Sequence, residues 1–280
     1  MIKQVAEHLY RGAFPETNMV LRQFQIPETT DDPESNYHHW LLTRLGSAQD
    51  NQLVELFEHL FPDQVMPQAS QPTGQDLWFS KHYRLFASHV ATHKKMVTEV
   101  KNALLEYGID TFVAHQDIEP AKEWATEIEV ALDTCNAAAA FLTEDFHASN
   151  WTDQESGYCL HRKVVTIPVC LGQMPYGFMS RYQGLPCIGK TAIQIAKDIF
   201  EVLMTRDTTA QQLIPALVEK FVTSGSYMEA RTNIGRLEAI NSWTSELLDR
   251  IQASIAENSQ VRDAFGVASR VMALVKKYRL

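Results

Sequence analysis

Three patterns of apolar and polar positions follow one another along the chain. Through residues 1 to about 80 the apolar positions are irregular, except in NYHHWLLTRLGSAQDNQLVELFEHLF. There Leu53, Val54, Leu56, Phe57, Leu60 and Phe61 recur at helical spacing. PDQVMPQASQPTGQD (62–76), rich in Pro, Gln and Ser, reads as a connector. From 81 to about 203 short apolar runs alternate with amphipathic stretches. RLFASHV (84–90), TFVAH (111–115), AAAAFLT (137–143) and VVTIPVCL (164–171) predict four strands. KKMVTEVKNALLEYG (94–108), closed by Gly108 as a C-cap, EWATEIEVALDTC (123–135), WTDQESGYCLHR (151–162) and TAIQIAKDIFEVL (191–203) predict helices. Strands buried on both faces and separated by helices imply an α/β domain with a doubly wound parallel sheet. Beyond about 205 the pattern is helical throughout, and Ile240, Trp243, Leu247 and Ile251 form one stripe expected in the core of a bundle. The expected organisation is an N-terminal helical or irregular segment with linker (1–80), an α/β domain (81–203) and a C-terminal helical segment (204–280).

Composition narrows the function classes. The 280 residues are 45% hydrophobic, enough to bury a core, and the formal net charge of −9 argues against a general nucleic-acid binder. No apolar run is long enough for a signal peptide or a membrane span, so a soluble cytoplasmic protein without a membrane partner is expected. Cys135, Cys159, Cys170 and Cys187 contain no C-x-x-C pair, which fits neither a zinc site nor a secreted disulfide framework. They read as buried thiols in a reducing compartment.

GLPCIGKT (184–191) fits the G-x-x-x-x-G-K-[ST] phosphate loop to the letter. A working loop of that kind joins the end of a buried strand to a helix. The helix follows, but YGFMSRYQ before it has no strand pattern, and no later strand ends in the Asp that would hold Mg²⁺. The match therefore reads as a helix start, with Gly189 in a turn and Lys190 exposed.

In an open doubly wound sheet, ligands bind beyond the carboxyl ends of the strands. Those ends are Ser88-His89, His115-Gln116-Asp117, Thr143-Glu144 and Leu171-Gly172. The third leads through DFHASN into a helix bearing Trp151 and Glu155, one turn apart on one face. An aromatic plane beside a carboxylate suits a flat heterocycle and its sugar; the competing reading is a core tryptophan beside an incidental glutamate. Other groupings carry less. His89 and His93 lack the Glu and third ligand of a zinc site, and Ser88 has no G-x-S-x-G setting. Asp117 and Glu119 resemble a receiver-domain acid cluster, but Thr143 stands where that site needs Asp.

FASHV, FVAHQDIEPAKEWATEIEVAL, FLTEDFHASNWTDQESG and VVTIPVCLG, in that order, resemble a bacterial TIR (Toll/interleukin-1 receptor) domain over residues 81 to 203. The resemblance implies a flavodoxin-like fold. It also implies that DIEPAKEW (117–124) is the mobile loop beside the active site and that WTDQE (151–155) is the family's W-x-x-x-E element. In NAD⁺-cleaving members the essential glutamate matches Glu155 and the neighbouring tryptophan matches Trp151. Ser88, His89, His115, Asp117 and Trp124 fall at substrate-lining positions. The chain departs from the family in having Ala121 where the mobile loop commonly has Gly, and Val90-Ala91 where polar residues are common.

The implied activity is cleavage of the nicotinamide–ribose bond, by an NAD⁺ glycohydrolase or ADP-ribose cyclase, in bacterial immunity or a toxin-like pathway. NAD⁺ is then the substrate, with no further cofactor or metal, and self-association through TIR domains is expected. The alternative is a non-catalytic scaffold that works by TIR–TIR assembly.

Overall fold

The alternating α/β pattern of the central third folds into a five-stranded sheet in which every pairing is parallel. The computed structural model describes residues 2–12, 14–30, 33, 37–62, 77–113 and 124–279. Helices α1 (Ile2–Tyr10), α2 (Phe14–Gln23), α3 (Tyr37–Gly46) and α4 (Asp50–Leu60) come first. They are followed by β1 (Tyr83–Ser88), α5 (Lys94–Leu104), β2 (Ile109–Val113), α6 (Trp124–Thr134), β3 (Ala137–Leu142) and α7 (Thr152–His161). Next come β4 (Val165–Cys170), β5 (Leu185–Pro186) and α8 (Ala192–Met204). The last elements are α9 (Asp207–Val222), α10 (Tyr227–Glu238), α11 (Ser245–Glu257), α12 (Ser259–Arg262) and α13 (Val267–Tyr278). Described residues up to 62 and from 217 onward form one unit, and those from 77 to 216 form another.

In the α/β unit the strand order is β2-β1-β3-β4-β5. The chain runs outward from β1 to β2, then crosses back to β3, so the direction of winding reverses between β1 and β3. Helices α5 and α8 pack on each other, as do α6 and α7, and the two pairs cover the sheet. The run Ala137–Ala140 is fully buried in the central strand β3. These small side chains leave room for Phe86 of β1, and beyond it Phe112 of β2, to pack under Ile128 and Leu132 of α6 and Cys159 of α7. Burial from both sides outweighs the low strand propensity of alanine.

The four expected strands are present, and a fifth was not anticipated. Strand β5 has two residues, one of them Pro186, and pairs with Val169 and Cys170 of β4. It lies inside GLPCIGKT, where Gly184 lets the backbone approach β4; a Cβ there would collide with Cys170 Sγ. Gly108 caps the first helical stretch as expected, with φ +68° after a 3₁₀ turn over Leu105–Tyr107. A Cβ at Gly108 would lie 2.9 Å from the Ala216 carbonyl oxygen. Gly108→Ala is therefore expected to cost about 1–3 kcal/mol through strained backbone and overlap together. An unchanged urea midpoint would remove both reasons.

The helical unit corrects the reading of the first 80 residues as irregular apart from one stretch. Helices α1 and α2 precede that stretch, and α1 buries Val5, Ala6, Leu9 and Tyr10 along one face. The stretch itself is two helices, α3 and α4, broken at Gly46. Near the other end, Ile240 and Trp243 lie in the connection between α10 and α11, not on a continuous helical stripe. Ile240 is nonetheless buried, and its carbonyl accepts a hydrogen bond from Trp243 Nε1 at 3.1 Å.

A polar network ties these helices together. Lys220 Nζ of α9 lies 2.5 Å from Glu229 Oε1 of α10, and both side chains are buried. The Tyr10 hydroxyl of α1 accepts from Lys220 at 3.0 Å and donates to Glu229 at 2.7 Å. Burial raises the Tyr10 pKa well above its ordinary value, so the hydroxyl keeps the proton that it donates.

Candidate active site

The reversal between β1 and β3 places two loops side by side at the carboxyl end of the sheet. The β1 loop supplies His89, Val90 and Ala91; the β3 loop supplies Asp145, Ala148, Ser149, Asn150 and Trp151. With Ile128 of α6 and Glu155 of α7, these residues line a cavity of about 390 Å³. A cavity of this size lies within the range of small-molecule sites, and its position is where the topology calls for one.

Glu155 is the chemical centre of the cavity. Trp151 is the N-cap residue of α7, and the Glu155 amide donates to the Trp151 carbonyl at 2.9 Å, which closes the first helical turn. Thr152, buried, anchors the helix start by donating to the Phe146 carbonyl at 2.5 Å. The Glu155 side chain is only 5% exposed, and its Oε2 accepts a hydrogen bond from Ser88 Oγ at 2.6 Å. Burial pushes its pKa from 4.5 up to about 7, against the smaller downward pull of the Ser88 hydrogen bond. A carboxyl group in this state exchanges its proton near neutrality, a property concentrated at functional sites.

Trp151 is 40% exposed and lines the cavity, so it is not the core tryptophan of the competing reading. His89 lines the cavity as well, with Nδ1 3.1 Å from the Ala87 carbonyl oxygen. Val90 and Ala91 give the β1 side of the cavity an apolar wall. Ser88 reaches the site as the partner of Glu155. Trp124 begins α6. His115, Asp117 and the rest of the expected mobile loop up to residue 123 lie outside the described residues.

Among the cavity residues that the sequence reading gave no role, Asp145 carries a charge. Asp145 follows β3 and is held by Thr143 Oγ1 at 2.6 Å and Thr92 Oγ1 at 3.1 Å, with His93 Nε2 3.5 Å away. These contacts, led by the Thr143 hydrogen bond, lower its pKa, so it is a fixed negative charge beside the titrating Glu155. Its sequence signal was its place as the first residue of DFHASN, directly after Thr143-Glu144, where it was read only as part of the connection.

The phosphate-loop match is accounted for by other roles. Thr191 caps α8 by accepting from the Gln194 amide, and Gln194 reaches back to the Thr191 amide at 2.8 Å. Lys190 Nζ lies 2.5 Å from Asp198 Oδ2, and Gly189 turns the chain at φ +75°. Thr191→Ala is expected to cost about 1 kcal/mol by loss of the cap, without altering ATP affinity. Thermal melts with and without ATP check both halves.

Residues 85–197 match the family model described as TIR domain. The chain carries a TIR domain with the flavodoxin-like α/β fold, flanked by helical segments. No curated protein matches it. Among the described residues no helix is long and apolar enough to cross a membrane.

Proposed function

We propose that the TIR domain cleaves NAD⁺ between nicotinamide and ribose, with Glu155 as the catalytic residue. The observation that carries this reading is a buried carboxyl, held by Ser88, at a cavity whose rim is an exposed tryptophan. Ordinary glycosidases need two carboxyl groups because one must protonate the leaving oxygen. Nicotinamide departs from NAD⁺ as a neutral molecule, so no general acid is required. As the bond stretches, positive charge develops on the ribose carbon and ring oxygen. Ionised Glu155 stabilises that charge and accepts hydrogen bonds from ribose hydroxyls, in surroundings where little water screens it. The arriving pyridinium cation favours the ionised carboxylate. Trp151 offers a plane for a flat ring, and Val90 and Ala91 give that ring an apolar neighbour. Water attack yields linear ADP-ribose; attack by a second group of the nucleotide yields a cyclic product. Bacterial antiphage defence or a toxin-like role would use such an NAD⁺-consuming reaction.

The test is NAD⁺ incubated with concentrated wild-type protein and with Glu155→Ala, followed by chromatography of the nucleotides. Nicotinamide release by the wild type alone is expected, and the second product separates hydrolase from cyclase. Silence of both proteins in an assembled state verified by light scattering would overturn the assignment.

The activity is expected to depend on pH through Glu155. In kcat/KM the rate rises with pH through about 7, as the carboxylate forms, and then levels off. Ser88→Ala removes the hydrogen bond that favours the ionised form, and so moves this limb to higher pH. A profile that does not move would mean that Ser88 has no hold on Glu155.

A second reading, assembly without chemistry, is supported by the surface around β5. Met174 and Phe178 before the strand, and Ile188 and Ile193 after it, are all exposed. Large exposed apolar side chains are characteristic of association surfaces, and TIR domains commonly self-associate. A constant monomer mass at rising concentration would count against this reading.

A further inference from the structure

Outside the cavity, two thiols lie in the core of the α/β unit. Cys135 directly follows α6, and Cys159 lies on α7 one turn beyond Glu155. Both are buried in the core cluster with Phe86, Phe112 and Ala138. Cys159 stands three residues before Arg162, the side chain that reaches Cys135, so the end of α7 and Cys135 are neighbours within this cluster; each thiol also heads the influences on the other's ionisation. A cation joins them: Arg162 Nη1 lies 3.4 Å from Cys135 Sγ, and the same nitrogen donates to the Leu132 carbonyl, which holds it in place. Arg162 is only half-buried, so its side chain connects the thiol pair to the surface. A cation against sulfur favours the thiolate, the nucleophilic form. Cys170 and Cys187 have a different setting, in which burial pushes both thiols up.

We propose that Cys135 and Cys159 are a redox-modification site, closing to a disulfide when the protein meets a hydroperoxide. The Cys135 thiolate, its charge offset by Arg162, attacks the terminal peroxide oxygen. The O–O bond breaks, and the departing oxygen takes up the proton that the thiol released and leaves as water or an alcohol. Cys135 is then a sulfenic acid. The Cys159 sulfur attacks the Cys135 sulfur, the S–O bond breaks, and hydroxide leaves as water with the Cys159 proton. Two thiols are oxidised by two electrons and one peroxide is reduced. The bond ties α6 to α7, the helices that bring Ile128 and Glu155 to the cavity. It thereby fixes the spacing of two cavity walls, whether or not the cavity cleaves NAD⁺.

The experiment treats the full chain with hydrogen peroxide, alkylates it in denaturant and maps the peptides without reduction. Expected are a peptide joined through Cys135 and Cys159, a mass lower by two hydrogen atoms and full reversal by dithiothreitol. Cys170 and Cys187 should be alkylated throughout. Arg162→Gln should slow the oxidation about tenfold at neutral pH, through loss of thiolate. Cys159→Ala should leave a Cys135 sulfenic acid that dimedone traps. Recovery of all four thiols in alkylated form would overturn the proposal. So would oxidation of Cys170 or Cys187 ahead of the pair, or an oxidation rate indifferent to Arg162. The wild-type map decides the matter even if a variant fails to fold, and none of these readouts involves NAD⁺.

Discussion

Glu155→Gln should abolish nicotinamide release and, above pH 7, make the protein more stable. The folded state holds this carboxyl at a pKa of about 7 against 4.5 ordinarily, because burial disfavours the charge. Between those values the unfolded chain ionises while the folded one keeps its proton, so the folded state binds more protons and stability falls as pH rises. The stability that the protonated group confers is present in full below about 4.5 and gone above about 7. The difference amounts to about 3 kcal/mol. Glutamine accepts the same Ser88 hydrogen bond without ever ionising. At pH 8 the variant should therefore unfold about 1–3 kcal/mol later than the wild type, the lower figure allowing for an amide nitrogen with a poorer partner. At pH 4 the advantage should vanish. Activity moves the other way, by at least about a hundredfold, because the charge that destabilises the fold is the one that meets the developing cation. Melts at the two pH values, beside the nicotinamide assay, check both directions. A variant that melts below the wild type at pH 8 would mean that Glu155 is not a buried, strained charge.

The largest loss of stability is expected in the helical unit. Glu229→Ala leaves Lys220 buried without the carboxylate 2.5 Å away, and removes the acceptor of the Tyr10 hydroxyl. Breaking one side of a buried pair costs about 3–5 kcal/mol, much of it the penalty of the stranded charge. The Gly225 amide, which donates to Glu229 Oε2 at 2.8 Å, loses its acceptor too. Replacing both partners, as Lys220→Met with Glu229→Leu, should recover most of the loss, since two apolar side chains strand no charge. Urea denaturation of the single and double variants followed by circular dichroism measures the difference. A double variant as unstable as the single one would place the cost in packing instead of charge.

The sequence was readable where a residue's neighbours along the chain decide its state. The four main strands were visible because burial on both faces leaves an uninterrupted apolar run. The Trp151–Glu155 pair was visible because one helical turn brings the two residues together. Strand β5 was not, because two residues containing a proline have no periodicity, and only the partner strand defines it. Helix α1 has its apolar residues at helical spacing, but over nine residues the pattern is too short to stand out. Its stability comes from the packing of its buried face, not from propensity. The Ser88–Glu155 hydrogen bond spans 67 residues of sequence. Its geometry follows from the order of strands, which the pattern of single elements does not reveal. Asp145 was overlooked for a similar reason: its partners Thr92 and His93 belong to the loop after β1. The break between α10 and α11 was hidden because Ile240 and Trp243 keep a helix-like spacing while packing from a connection.

The helical unit is assembled from the two ends of the described chain, with the whole TIR domain made between them. During synthesis α1 to α4 leave the ribosome before the TIR domain, yet Tyr10 waits for Lys220 and Glu229, more than 200 positions later. Tyr37 likewise waits for Gly225, where any Cβ would strike its ring. The TIR domain can close its sheet from contiguous chain, and so can fold while those early helices still lack their partners. A chain released once residues up to 216 have emerged, but before α10, would carry a finished α/β unit attached to helices with open apolar faces. Such fragments would be ready substrates for chaperones and proteases, and completion of the helical unit marks a chain that has been translated through α10.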